Sequence, residues 1–210
     1  MKNQYQLVLF DVDSTLIEQE VIDLLANRTP HGAQVADITR RAMSGEIDFD
    51  GALRQRVSLL RGLPESVLSE VRNEITFSPG ARELINELQK RNMRVGAVSG
   101  GFINVLQPLF ADLNFDFLHA NTLEITNGVL TGQVLGTIVN RSVKRDSLLR
   151  FAERFSIEPH HTVAVGDGAN DLEMIQAAGL GVSYRGKAIL NEAADVVISE
   201  SRLDELLKYL

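Results

Sequence analysis

Apolar residues follow two different rhythms along this chain, and the change of rhythm divides it. Leu7 to Phe10 form an unbroken apolar run, the signature of a short strand buried on both faces. The run ends abruptly in Asp11-Val12-Asp13-Ser14-Thr15. Helical spacing then takes over. Val21, Ile22, Leu24 and Leu25 fall on one stripe of residues 18–28, and a second stripe spans 33–44 and stops at Gly45. Asp48 is placed to cap a helix bearing Leu53, Val57, Leu59 and Leu60, which ends near Gly62. Pro64 takes a first-turn position ahead of Val67, Leu68 and Val71. Each of these segments can bury only one face, so together they predict a small helical module.

From Ser78 the texture becomes alternating. Ser78-Pro79-Gly80 opens a helix through Lys90, residues 93–98 read as a strand ending in Ser99-Gly100-Gly101, and a helix follows to about Leu113. Asn127-Gly128, set between the alternating runs 123–126 and 129–134, is a strong hairpin cue. A helix over 143–155 leads to a strand over 162–165 and then to Gly166-Asp167-Gly168-Ala169-Asn170-Asp171. A helix over 172–178, short strands near 181–183 and 196–198, and a last helix over 203–209 complete the chain. Apolar strands alternating with helices predict an α/β fold with a parallel sheet covered on both faces. The expected division is a core of residues 1–16 and 77–210 with a helical module, 17–76, inserted after the first strand. In such sheets ligands bind beyond the carboxyl ends of the strands, and Asp11, Ser99 and Asp167 all stand at such ends.

Composition narrows the field. A net charge of -7 argues against a nucleic-acid partner, while a small phosphorylated molecule needs only local positive charge. The absence of cysteine excludes disulfides and thiolate catalysis and fits a reducing, cytoplasmic setting. No stretch approaches the length of a membrane span, so no membrane partner is expected. The four histidines lack a helical i, i+4 pair and read as surface or loop residues.

The carboxylates carry the chemistry. Asp11 and Asp13, at i and i+2, share a face of an extended chain, and two like charges so close call for a compensating cation. Alone, the pair reads equally well as turn aspartates. Lys144 falls in the first turn of its helix, where a cation opposes the helix dipole; beside Arg141 and Arg145 this placement alone leaves open a solvated surface lysine or a point charge for a phosphate.

In order along the chain, Asp11-Val12-Asp13-Ser14-Thr15, Val98-Ser99-Gly100-Gly101, Lys144 and Gly166-Asp167-Gly168-Ala169-Asn170-Asp171 resemble the four motifs of the haloacid dehalogenase superfamily. Glu20, Met43-Ser44-Gly45, Phe49 and Arg56-Val57-Ser58-Leu59-Leu60 resemble the cap of its phosphoserine phosphatases. One departure is Val12, where relatives commonly carry an aromatic residue. The resemblance implies a Rossmann-like core with an inserted α-helical cap and a β-hairpin. It implies Asp11 as nucleophile, forming an aspartyl phosphate, and Asp13 as general acid and base, with a proton affinity raised by burial and its neighbour. Mg²⁺ would be held by the Asp11 carboxylate, the Asp13 carbonyl and Asp167, with Asp171 in its outer shell.

Ser99, Gly100, Lys144 and Asn170 are then phosphate-binding positions, with Gly100 opening the start of the next helix to a phosphate. Glu20 and Arg56 are expected on the ammonium and carboxylate of O-phosphoserine, and Met43 and Phe49 as apolar walls. Read singly, these four residues are equally ordinary helix charges and core side chains. The implied enzyme is a monomer or homodimer acting on a small molecule. Some relatives carry a regulatory domain ahead of the first strand; feedback through one is not expected here. The alternatives are a phosphatase of another small ester (phosphohomoserine, sugar or nucleotide phosphate) and a phospho-acceptor signalling domain.

Overall fold

The apolar run Leu7–Phe10 forms β1, with all four residues buried, in a computed structural model that describes residues 4–210. Four helices follow: α1 (Val21–Ala26), α2 (Gly32–Met43), α3 (Phe49–Ser58) and α4 (Val67–Glu74). The chain continues through α5 (Ala81–Lys90), β2 (Arg94–Phe102), α6 (Ile103–Leu109), β3 (Phe117–Thr126) and β4 (Val129–Leu135). It closes with α7 (Arg141–Arg154), β5 (Thr162–Gly166), α8 (Leu172–Ala177), β6 (Leu180–Tyr184), α9 (Ala188–Asn191) and β7 (Val196–Ile198). The strands form one seven-stranded sheet in the order β4-β3-β2-β1-β5-β6-β7. All neighbours run parallel except β3 and β4.

The period-2 alternation of β1 explains the layering. Val8 and Phe10 join the larger core cluster with α5, α6 and the insert helices, whereas Leu7 and Leu9 pack with Leu148, Phe151, Met174 and Ile175 of α7 and α8. Both faces are therefore covered. The chain leaves β1 toward β2 on one side and later fills the other side from β5 outward. The crevice of this switch opens at the carboxyl ends of β1 and β5, where Asp11 and Asp167 stand.

The insert leaves and re-enters the core at one place. Ile17 and Phe77 form an antiparallel bridge, with Glu18 N donating to Thr76 O at 3.0 Å and Ser78 N to Leu16 O at 2.9 Å. A second attachment joins residues 62–65 to the hairpin tip: Gly62 N donates to Leu130 O, Leu130 N to Leu63 O, and Glu65 N to Gly128 O.

Several elements differ from the sequence expectation. Pro64 bridges Val129 instead of opening a helix, and α4 starts only after Ser66; the hairpin, distant in sequence, supplies the competing partner. β2 continues through Ser99-Gly100-Gly101 to Phe102, with a shift in register on the way. The hairpin is no appendage, because β3 begins at Phe117 and pairs with β2 before it pairs with β4. Residues 203–209 form 3-10 turns in place of an α-helix. Their buried Leu203 and Leu206 lie three apart, a spacing that suits the tighter helix equally well. His119 is not on a loop but half-buried within β3, its Nδ1 2.9 Å from Ser147 Oγ. Among the described residues no helix is long and apolar enough to cross a membrane.

Candidate active site

Asp11 follows β1 directly, and its N–H donates to Val165 O of β5 at 2.8 Å, so the sheet itself fixes the residue. The chain then turns sharply. Val12 O accepts from Thr15, Leu16 and Ile17, and Ser14 takes a left-handed φ of 59°. This turn sets Asp13 beside Asp11, where its Oδ2 accepts from Val21 N at the start of α1 and its buried Oδ1 has no partner. Across the crevice, Asp171 Oδ2 accepts from the N–H groups of Asp167 and Gly168, both at 3.1 Å. Gly166 is required for this approach, since a Cβ there would lie 2.4 Å from Asp171 Cγ.

Lys144 joins the two strand ends. Its Nζ donates to Asp11 Oδ1 at 2.5 Å and to Asp171 Oδ1 at 2.6 Å, with no exposed surface. A solvated surface lysine is thereby excluded. The α7 N-terminus that carries it is capped by Asn140, which accepts from Val143 N. Ser99 Oγ accepts from Gly101 N at 2.8 Å, which leaves its proton free to donate. Ser99 Oγ and Asp13 Oδ2 both lie 3.0 Å from the point where a Cβ on Gly101 would sit.

The insert closes over this floor. One cavity is lined from the core by Asp11, Asp13, Gly100, Gly101 and Asn170, and from the insert by Glu20, Ile22, Met43, Phe49, Leu53 and Arg56. It measures about 20 Å³, little more than the space of one water. Phe49 packs on Gly100 and Met43 on Gly168, so tightly that a Cβ on either glycine would come within 2.8 Å and 2.6 Å of them. Gly100 lies within the irregular end of β2, not at the start of α6 as expected, and its carbonyl accepts from Asn121. Its use at this position is to let an aromatic side chain of the insert reach the main chain.

The haloacid dehalogenase-like hydrolases match this chain over residues 5–179. The chain belongs to that family. It is 44% identical over 204 residues to a phosphoserine phosphatase of Streptococcus thermophilus, covering 97% of this chain and 95% of the relative. A phosphoserine phosphatase of Streptomyces coelicolor is 48% identical over 205 residues, which are 98% of this chain and 50% of that protein. The chain thus spans about half the length of some of the curated relatives it matches. Among solved structures, a phospho-aspartyl intermediate analogue of phosphoserine phosphatase superposes with a TM-score of 0.95 at 40% identity, over 99% of this chain and all of that one.

In this hydrolase the site gathers five carboxylates (Asp11, Asp13, Glu20, Asp167, Asp171) against the cations Lys144 and Arg56. Burial therefore shifts most of them. Asp11 is raised to about 7 by burial and by Asp171, against the pull of Lys144. Asp13 is raised well above the carboxylate range by burial, then by Glu20 and Asp11, as its expected role as an acid requires. Burial likewise raises Asp167, with Asp11 and Asp171 adding to it, and raises Glu20 despite a 2.8 Å hydrogen bond from Ser14 Oγ. Burial opposes the charge on Lys144, but Asp11 and Asp171 outweigh it and hold the amine above the usual lysine range.

Such a surplus of buried negative charge suits a cation. Oxygens of Asp11, Asp167 and Asp171 lie within 4.8 Å of one another, and Asp167 Oδ1 is buried without a partner. An all-oxygen set of this kind fits a hard divalent ion. Asp171 spends its oxygens on Lys144 and two backbone N–H groups, which favours a supporting place for it over direct ligation.

Every sequence-predicted site residue falls in or directly beneath this cavity. Ser99, Lys144, Asp167 and Asp171 lie under its floor, and the others form its wall. Sequence reasoning missed Ile22 and Leu53. Leu53 stands one turn before Arg56 on the same helical face, but an apolar stripe does not say which of its members borders a cavity.

Proposed function

We propose that this chain hydrolyses O-phospho-L-serine to L-serine and phosphate, the closing step of serine biosynthesis, as a Mg²⁺-dependent cytoplasmic enzyme. Arg56 carries this reading. It is 3% exposed and lines the cavity, yet among the described residues it has no ion-pair partner within 4.0 Å. Burial accordingly lowers its pKa, although Glu20, Asp23 and Asp13 oppose the shift. A guanidinium held this way calls for an anion from outside the chain. Glu20 on the same cavity is suited to an ammonium, and the core carboxylates to a phosphoryl group. A substrate with all three groups is an amino-acid phosphate, and the relatives named above are phosphoserine phosphatases.

In the first step a carboxylate oxygen of Asp11 attacks phosphorus, and the P–O bond to serine breaks as the Asp11–O–P bond forms. Asp13, protonated in its buried setting, gives its proton to the departing serine oxygen. Asp13 then takes a proton from water, whose oxygen attacks phosphorus and releases phosphate and free Asp11. Ser99, Lys144, Asn170 and the Gly100 main chain hold the phosphoryl oxygens in line. Mg²⁺, held by the Asp11 carboxylate, the Asp13 carbonyl and Asp167, supplies charge neutralisation when bound. Residues 17–76 act as a cap, and Met43 and Phe49 exclude water from it.

Two substitutions test the proposal. Asp11→Asn should reduce turnover by at least about a thousandfold. Arg56→Ala should lower kcat/KM for O-phosphoserine by about a hundredfold and cost O-phosphoethanolamine, which lacks the carboxylate, far less. Equal losses on the two esters would remove the substrate assignment.

A further inference from the structure

Three helices of the insert each contribute one side chain to a chain of hydrogen bonds that ends on Arg56. From α3, Arg56 Nη1 donates to Thr39 Oγ1 of α2 at 3.0 Å, and Thr39 Oγ1 lies 2.7 Å from Asp23 Oδ1 of α1. Arg56 Nε is tied to Ala52 O at 3.2 Å. The direction of the chain follows from counting protons. A threonine hydroxyl has one proton to give and lone pairs to receive. Arg56 can only donate, so Thr39 must accept from it and direct its own proton elsewhere. The candidates are Asp23 Oδ1 at 2.7 Å and Val35 O at 3.0 Å. The nearer, charged acceptor wins.

Thr39 is 4% exposed, so water does not compete for these bonds. With Nε and one Nη1 proton held, the plane of the guanidinium is set, and the remaining N–H groups on Nη1 and Nη2 form a fork. A fork of this kind binds a carboxylate at two points only if its plane is right. Asp23 lies beyond ion-pair distance of Arg56 and leaves the fork unspent.

We propose that Thr39 and Asp23 are positioning residues for substrate selection: Asp23 orients the Thr39 hydroxyl, which orients Arg56 toward the carboxylate of the substrate. This rests on the substrate reading given above. Neither residue touches the reacting atoms, so their removal acts on recognition of the carboxylate and not on the chemistry at phosphorus.

The test uses the full chain with Mg²⁺ and compares O-phosphoserine with O-phosphoethanolamine. Thr39→Val keeps shape and loses the hydroxyl; it should raise KM for O-phosphoserine about tenfold with kcat little changed, and lower the selectivity ratio to match. Thr39→Ser should restore both. Asp23→Ala should raise KM about threefold, and the double variant Asp23→Ala/Thr39→Val should be no worse than Thr39→Val alone, since both act through one route. Multiplying effects, a failed serine rescue, or equal losses on the two esters would overturn the relay. Should Thr39→Val not fold, Asp23→Ala decides: a KM shift at constant kcat supports the relay, and an unmoved KM refutes it. If Arg56→Ala leaves selectivity intact, the substrate reading fails and the relay falls with it. If Arg56→Ala abolishes selectivity and Thr39→Val does not, the relay alone is wrong.

Discussion

Asp11 occupies a position that no carboxylate would choose for itself: buried, beside Asp171, and dependent on one ammonium for its charge. In the folded chain it keeps its proton up to about 7, against an ordinary value of 3.8. The folded state therefore binds more protons than the unfolded state across that window, and stability falls as pH rises through it. In EDTA the thermal midpoint should drop between about pH 4 and about pH 7 as Asp11 is forced to ionise, and added Mg²⁺ should recover most of the loss at the upper end. A midpoint that climbs over this range would contradict the assignment. At this scale the sequence is informative about identity and silent about environment. The Asp11–Asp13 spacing and the motif order single out the carboxylates that the resemblance makes reactive, but apart from that resemblance nothing in the string distinguishes Arg56 from an exposed helix arginine. Its burial depends on α1, α2 and α3 packing together. Thr39 and Asp23 give no sequence signal at all, because a lone helical threonine or aspartate is ordinary until its neighbours are known.

At the scale of elements, α3 matters most, since Phe49, Leu53 and Arg56 all project from it into the cavity. Its start is secured by Asp48, whose carboxylate accepts from Gly51 N at 2.7 Å. Asp48→Ala should cost about 1 kcal/mol of stability, seen in denaturant unfolding. It should also raise KM for the substrate, because fraying begins at Phe49. An unchanged KM would mean that Phe49 contributes nothing to the closed wall. That cap was legible, and so was the β3–β4 turn: Asn127 and Gly128 both adopt the left-handed φ, 52° and 75°, that a tight hairpin demands. The first half of β3 was not legible, because its partner β2 is parallel and remote and its residues are half-buried without alternation. Asn121 shows what that half does. Its Nδ2 donates to Gly100 O and its Oδ1 accepts from Val139 N, tying the Ser99 segment to the approach of α7.

Taken whole, the molecule carries a net charge of -7, and on the proposed function its buried carboxylates stand where an anionic ester would have to arrive. With that net charge the long-range field would not draw such a substrate in, and its recognition would rest on contacts inside the cavity. Raising ionic strength from about 0.01 M to about 0.15 M shortens the Debye length from about 30 Å to about 8 Å. Over that range kcat/KM should stay level or rise modestly; a steep fall would reveal an attractive patch that the charge balance does not suggest. The covered parallel sheet could be read from the alternation of strands and helices, but the outward order of its strands required the registry of distant segments. The bridge between Ile17 and Phe77 has a consequence for engineering. Because the polypeptide departs from the catalytic scaffold and rejoins it through one paired stem, the segment between is a natural unit for transplantation. A chimaera that exchanges this segment for one from another member of the family should inherit the donor's taste in esters while retaining its own hydrolytic machinery, provided the graft also reproduces the seam with the hairpin tip.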